Sequence, residues 1–399
     1  MAVVDVTRVI PVAKPWIGEA EAEAARRCLA SGWITQGPEV AAFEAEFAAF
    51  AGAPHACAVS NGTTALHLAL LAAGVRPGDE VVTVSHSFIA TANSIRYAGA
   101  IPVFVDVEPA TFNMDVSQVE RALSPRTRAI LPVHQLGMPC DLAPLVALAH
   151  RHGLAVVEDA ACALGSEIAW RGRWERIGRP HGDVACFSFH PRKLLTTGDG
   201  GMLVTARPDW DDAFRRWRHN GMSVPDTVRH RAREVIFESY PVLGFNYRMT
   251  DLQAAVGREQ LRRLPAMVER RRRLAARYRA RLADVPGLRL PVEAHWARSN
   301  WQSFAVRLPA GCEQRAVMQA MLDAGVSTRR GVMCAHREAA YATEPWRVGP
   351  LGLAASEAAQ DEALILPLFH EMTEGDQDAV MDALRAACAA SGRGPGGHG

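Results

Sequence analysis

Lysine is almost missing from this sequence. Its 399 residues carry 44 Lys plus Arg side chains, and only two of these, Lys14 and Lys193, are lysines. Arginine cannot give up its proton in a protein, whereas lysine can be tuned to a neutral amine that attacks a carbonyl. Paired cysteines are missing too. The eight cysteines are scattered without a CxxC spacing, which argues against a zinc site or a disulfide framework and suits a reducing cytoplasm. No apolar run approaches the ~20 residues of a membrane span, and the N-terminus lacks the basic-then-apolar order of a signal peptide. Charge of one sign does not dominate. The formal net charge is +1, so no global field favours nucleic acid or an anionic membrane. The basic run from Glu269 to Leu282 reads as an exposed helix face, with Leu274, Tyr278 and Leu282 at helical spacing. These absences lead to an expectation of a cytoplasmic protein with no metal, nucleic-acid or membrane partner.

Hydrophobic content is 49% and charged content 22%, ordinary for a globular chain. The length exceeds the roughly 250–300 residues of a single core, which implies two domains. From about residue 55 to 205, short apolar runs alternate with helical patterns. The runs "HACAVS", "DEVVTVS", "IPVFVDV", "TRAILPVH", "LAVVED", "DVACFSF" and "GGMLVT" read as strands covered on both faces. Helical patterns such as "TTALHLALLAAG" and "LAPLVALAHRHG" lie between the earlier ones. The alternation predicts an α/β fold with a mostly parallel central sheet flanked by helices. Beyond residue 207 the pattern turns helical. Thr250 or Asp251 is a plausible N-cap for "MTDLQAAVGREQLRRL", and a long helix is expected after Pro265. From about 300, "SFAVRL", "EQRAVMQAMLDAG", "LILPLF" and a last helix near 376–390 predict a smaller C-terminal α+β domain. The expected divisions are an N-terminal segment 1–17, a large domain 18–255, a small domain 256–390 and a disordered Gly-rich tail 391–399.

Ligands of such sheets bind at the carboxyl ends of the strands, and the chemistry-bearing residues follow the apolar runs. Gly62, Thr63 and Thr64 open a helix, Phe88 follows "VVTVSHS", Asp159 ends "LAVVED", and Ser188, His190 and Lys193 follow "DVACF". A pyridoxal-phosphate enzyme needs an amine for a Schiff base, a carboxylate for the pyridine nitrogen, a phosphate cradle and a flat contact for the ring. Lys193, Asp159, the Gly62–Thr64 helix start with Ser188, and Phe88 are candidates for these in turn. Singly, each has a plainer reading: a surface charge, a cap, an ordinary strand-to-helix turn, a core aromatic. Their joint order on one alternating scaffold is the specific signal.

The sequence resembles the DegT/DnrJ/StrS sugar aminotransferases, which have the type I aspartate-aminotransferase fold. The resemblance covers nearly the whole chain and rests on "SNGTTALHLAL", "HSFIATANSIRYAGAIPVFVDV", "PVHQLGMPCD", "VVEDAACALGS", "GDVACFSFHPRKLLTTGDGGMLVT" and "GFNYRMTDLQAAVGREQL". It implies pyridoxal 5'-phosphate linked to Lys193, with Asp159 at the ring nitrogen and Phe88 stacked on the ring. It assigns the phosphate to Gly62, Thr63, Thr64 and Ser188. It further implies that Asn246 reaches the phosphate of a neighbouring subunit, making a homodimer with shared sites. Cys162 is a departure. The family often has Gln or His three residues after the aspartate, near the cofactor's phenolic oxygen, and a thiol is a weaker hydrogen-bond donor.

The resemblance implies transfer of an amino group from glutamate or glutamine to a nucleotide-linked keto sugar, with a keto cyclitol as the alternative acceptor. Lys193 serves as base and acid. His190, Arg192, Arg248, Arg329, Arg330 and His336 are candidate substrate contacts, the arginines suiting a diphosphate or carboxylate. Family members that dehydrate sugars carry histidine at the lysine position, so Lys193 argues against that chemistry. The intact set Lys193, Asp159 and Ser188 argues against a non-catalytic regulator.

Overall fold

The computed structural model describes residues 9–224, 228–229 and 232–391. The tail expected to be disordered lies, from residue 392 on, outside the described residues, as do residues 1–8 of the N-terminal segment. Two helices open the chain, α1 (Glu19–Ser31) and α2 (Pro38–Ala51). The alternating region follows: β1 (His55–Val59), α3 (Gly62–Ala72), β2 (Glu80–Val84), α4 (Ala90–Tyr97), β3 (Ile101–Val105), α5 (Val116–Ala122), β4 (Thr127–Ile130), α6 (Leu142–His152) and β5 (Ala155–Asp159). A hairpin, β6 (Glu167–Trp170) and β7 (Arg173–Arg176), precedes β8 (Val184–Ser188), β9 (Gly201–Thr205) and α7 (Pro208–Trp217). The seven apolar runs all form strands of the central sheet.

The C-terminal part comprises α8 (Asp251–Leu282), β10 (Ala297–Arg298), β11 (Phe304–Arg307), α9 (Gln314–Asp323), β12 (Arg329–Arg330), β13 (Arg347–Val348), α10 (Ala354–Glu362), β14 (Ala363–Leu366) and α11 (Glu374–Ser391). The central sheet runs β1-β9-β8-β5-β4-β2-β3-β13. Only β9 is antiparallel to its neighbours β1 and β8; the other pairs are parallel. The carboxyl ends of β2, β4, β5 and β8 therefore open toward one edge, as a mostly parallel α/β sheet requires. Among the described residues no helix is long and apolar enough to cross a membrane.

The expectation of a separate helix after Pro265 is corrected: α8 is one helix of 32 residues with Pro265 inside it. Proline removes one intrahelical bond and crowds the carbonyl four residues back. Leu261, Leu264, Met267 and Val268 are buried on both sides of it, so core packing holds the register through the proline. Thr250 is the N-cap, its hydroxyl accepting from Gln253 N at 3.2 Å. Asp251 instead caps α2, accepting from the backbone N of Gly37, Glu39 and Val40 at 2.7, 3.1 and 3.0 Å.

The reading of Glu269–Leu282 as an exposed face is corrected at one residue. Leu274, Tyr278 and Leu282 are buried as expected, and so is Arg271, at 2% exposure. Arg271 lies on the same helical stripe as Leu274 and Tyr278. Its Nη1 donates to the carbonyls of Trp301 and Gln302, both at 3.1 Å. The first half of α8, to Val268, packs in the core of the large sheet, and the half from Leu274 packs in a second core with Phe304, Val306, Met321 and Leu384. Residue 255 therefore lies early in a helix that serves both cores. The stretch 334–353 returns to the large sheet: β13 pairs with β3, and Tyr341 packs with Phe104.

Candidate active site

The site is built at strand ends. β5 and β8 are neighbours, with Asp159 in register with Cys186. Helix α3 starts hard against them. A Cβ at Gly62 would lie 2.8 Å from Ser188 Cβ, and one at Gly201 would collide with the Asn61 carbonyl. Both positions need glycine for this approach. Asn61 caps α3: its Oδ1 accepts from Thr64 N at 2.9 Å, and its carbonyl accepts from Thr64 Oγ1 at 2.8 Å. Both donors of Thr64 are thus engaged in the cap. The N–H groups of Gly62 and Thr63 sit in the first turn, where a helix offers no acceptor and its dipole favours an anion.

Asp159 is 6% exposed. Its Oδ2 accepts from Thr91 Oγ1 at 2.7 Å and its Oδ1 from Ala161 N at 3.2 Å. Because Thr91 gives its proton to the carboxylate, Ser87 Oγ, 2.7 Å away, donates to Thr91. Behind Asp159, His134 Nδ1 accepts from Cys140 N at 3.0 Å. The proton of a neutral ring then sits on Nε2, which donates to Glu158 Oε2 at 3.0 Å. Two buried networks therefore fix the end of β5.

Phe88 follows the buried His86 and Ser87, yet is itself 58% exposed. A large aromatic face left open beside a buried carboxylate suits a flat ligand. Lys193 Nζ donates to Cys162 Sγ at 3.1 Å. Lys14, by contrast, is exposed and paired with Glu371 at 2.6 Å.

The expected substrate contacts divide. Arg330 pairs with Glu338 at 2.9 Å. His336 lies between Ser85 Oγ at 2.6 Å and Glu357 at 3.1 Å. Arg248 donates to Asn246 Oδ1 from Nε at 3.2 Å and from Nη2 at 3.0 Å. Asn246 is exposed. The next residue, Tyr247, accepts from Ser60 N at 2.7 Å, which ties this segment to the turn before α3. His190, Arg192 and Arg329 gather near Lys193. Burial and the charges of Arg192, Lys193 and Arg329 hold the His190 imidazole below its usual pKa, against an opposing pull from Asp199. Burial and Arg329 likewise lower Arg192.

Sequence reasoning missed Thr91, Asn300 and Gln302. Asn300 Nδ2 donates to the carbonyls of Cys162 and Leu164, each at 2.9 Å. Gln302 Nε2 donates to the Arg192 carbonyl at 2.9 Å. Thr91 had a signal, a hydroxyl one turn after Phe88 in "SFIAT". The other two come from a loop held by Arg271, which no local spacing reveals.

The residues present fit pyridoxal phosphate. A buried carboxylate, an open aromatic face, free N–H groups at a glycine-lined helix start and a strand-end amine each match one part of it. On this fold, such a set defines a pyridoxal-phosphate-dependent aminotransferase. The chain belongs to the DegT/DnrJ/EryC1/StrS aminotransferase family, whose model matches residues 15–385. It is 40% identical to GDP-perosamine synthase of Caulobacter vibrioides, covering 94% of this chain and 97% of that one. The crystal structure of the aminotransferase TlmJ from Streptoalloteichus hindustanus superposes with a TM-score of 0.85 at 37% identity, covering 96% of this chain and 99% of that one. DesI, solved in the presence of its TDP-sugar product, gives a TM-score of 0.84 at 32% identity over 97% of this chain and 94% of that one.

Proposed function

We propose that the protein moves an amino group from glutamate or glutamine to a nucleotide-linked keto sugar. The acceptor class is supported by the relatives: one is named for a GDP-linked product, and another was solved with a TDP-sugar product. The observation that carries the reading to particular atoms is the lone strand-end amine. Lys193 stands next to Cys162 and has no carboxylate partner among the described residues, unlike Lys14. When bound, the cofactor supplies an electron sink for the carbon that loses its proton.

In this reading Lys193 Nζ holds the cofactor covalently at rest. Once displaced, it takes the donor's α-proton and later returns a proton. Asp159, its carboxylate oriented by Thr91 and Ala161, would hold the ring nitrogen. Phe88 would cover the ring. Gly62 and Thr63 N–H, with Ser188 and the Thr64 turn, would receive the phosphate. Cys162 would neighbour the phenolic oxygen.

The same proposal includes a homodimer in which Asn246 reaches the partner's phosphate. In its support, Val235, Phe237 and Leu243 are 83, 91 and 88% exposed just before Asn246, and such apolar exposure marks an interaction surface. Borohydride reduction of the holoenzyme followed by peptide mapping tests the central assignment. An adduct on Lys193 is expected, and one on Lys14 would overturn it. Mixing Lys193→Ala with Asn246→Ala subunits tests the dimer, because heterodimers hold one site with neither defect. No recovery of activity under exchanging conditions would count against shared sites.

A further inference from the structure

Arg271 sits where a charge is unfavourable. It lies between Val268, in the core of the large sheet, and Leu274, in the second core. It is buried on the stripe of Leu274 and Tyr278, where an apolar side chain would continue the packing. Burial alone pushes its pKa down to about 10, with no carboxylate among the described residues acting on it. Its Nε is buried without an acceptor among the described residues. A charge taken out of water without a counter-charge weakens a fold. Stability alone therefore does not account for an arginine at this position.

What the guanidinium supplies is a fork. Its Nη1 donates to two successive carbonyls, those of Trp301 and Gln302, both at 3.1 Å. Trp301 has a φ of +52°, a left-handed conformation that is unfavourable for a bulky side chain. Such backbone persists only where its surroundings over-determine it, and it clusters at functional sites. Asn300 Oδ1 accepts from Gln302 N at 2.8 Å and closes the turn around Trp301.

The two side chains of this turn reach both sides of the strand-end amine. Asn300 Nδ2 donates to the Cys162 carbonyl at 2.9 Å, and Cys162 Sγ accepts from Lys193 Nζ at 3.1 Å. Gln302 Nε2 donates at 2.9 Å to the carbonyl of Arg192, the residue before Lys193. The turn thus holds both the chain that carries Lys193 and the chain that Lys193 touches. We infer that Arg271 is a positioning residue: through the turn at Trp301 it fixes where Lys193 Nζ stands when it takes and returns the donor's proton. The inference rests on the reading of Lys193 as the reacting amine. The partners of Arg271 are backbone carbonyls, so its effect falls on geometry and not on substrate binding. A misplacement of about 1 Å, caused far from the chemistry, can lower a rate about 100-fold.

The test uses Arg271→Met, Arg271→Lys, Gln302→Leu and the double variant Arg271→Met/Gln302→Leu. In each holoenzyme, whichever of glutamate and glutamine reacts is added, and loss of the visible band of the lysine-bound cofactor gives a maximal rate and a donor KM. Arg271→Met is expected to lower the maximal rate about 10- to 100-fold, with the donor KM within about threefold of wild type. In the cofactor-free protein, the band forms as Lys193 captures added pyridoxal phosphate. That rate at saturation should fall on the same order, with the half-saturating concentration unchanged. Arg271→Lys keeps a donor on a less rigid stem and should recover part of both rates. The double variant should lose much less than the product of the two single losses, because both residues act through one turn.

A lowered melting temperature with both rates per folded molecule at the wild-type level would make Arg271 purely structural and overturn the inference. A raised donor KM at an unchanged maximal rate, or a double variant that shows the full product of losses, overturns it too. If Arg271→Met does not fold, Gln302→Leu decides: the same split between rate and KM is expected, and wild-type rates refute it. Failure of the underlying reading looks different: the wild type then shows no visible band, or borohydride marks Lys14.

Discussion

Two pairs of arginines stand in opposite electrostatic settings. Arg215 and Arg218 converge on Glu44, and their remaining N–H groups reach the carbonyls of Ala56 and Ala58 on edge strand β1. Burial alone would raise the Glu44 pKa, but Arg218 and Arg215 hold it below the usual carboxylate range. Ala58 N also donates to Glu44 at 2.9 Å. This group clamps α2, β1 and α7 together. Arg192 and Arg329 have no such carboxylate among the described residues, and they gather with His190 near Lys193. A positive charge answered within the fold does structural work.

The largest expected effect breaks the first cluster. Glu44→Gln leaves Arg218 buried without its counter-charge, and losing one partner of a buried pair costs about 3–5 kcal/mol. Chemical denaturation should read this loss, while activity per folded molecule stays near normal. The pH dependence has a definite sign. With its folded pKa depressed, Glu44 contributes stability above the unfolded carboxyl pKa of about 4.3. That contribution disappears as pH falls through the lower folded value. The stability gap between wild type and variant should therefore close in strong acid. A gap that persists unchanged there would mean that the carboxylate charge is not what holds the clamp.

The complementary break leaves stability alone. Asp159→Asn keeps the acceptor oxygen for Thr91 but removes the charge proposed to face the ring nitrogen. Turnover should fall by about 10²- to 10³-fold, the scale of one preorganised electrostatic partner, with the denaturation midpoint close to wild type. Near-normal turnover would show that the wrong carboxylate was chosen.

Much of this contrast was readable in the sequence. Strands buried on both faces are apolar throughout, so "LAVVED" and "DVACFSF" declared themselves, and Asp159, Ser188 and Lys193 fell at or just beyond their ends. Lys193 was conspicuous in a chain that uses arginine nearly everywhere else. What could not be read depends on distant partners. Asp251 looked like a cap for its own helix but serves α2, more than 200 positions earlier. Arg271 looked solvated, yet its stripe turns inward and it holds the Trp301–Gln302 carbonyls. Asn300 and Gln302 reach the site only through that loop. Pro265 looked like a helix start because local propensity cannot see the apolar side chains packed on either side. The sorting of the arginines was likewise invisible, since only the folded chain shows which of them meet a carboxylate.

The smallest effect sharpens the comparison at the anion-binding helix. Asn61→Ala removes the cap of α3 and frees the Thr64 N–H, which costs about 1 kcal/mol. If the cofactor phosphate sits on this helix start, it can satisfy the freed donor, since a helix N-terminus accepts an anion readily. The drop in melting temperature should then be clear without cofactor and smaller at saturating pyridoxal phosphate. Asn61→Asp separates charge from capping. A carboxylate caps well and favours the helix dipole, so the cofactor-free protein should be as stable as wild type or slightly more so. The same negative charge repels a phosphate, so cofactor affinity should fall. Opposite signs in one variant, more stable without cofactor and weaker in binding it, are hard to obtain from a purely structural asparagine. Equal melting losses with and without cofactor for Asn61→Ala, together with unchanged affinity for Asn61→Asp, would move the phosphate away from α3.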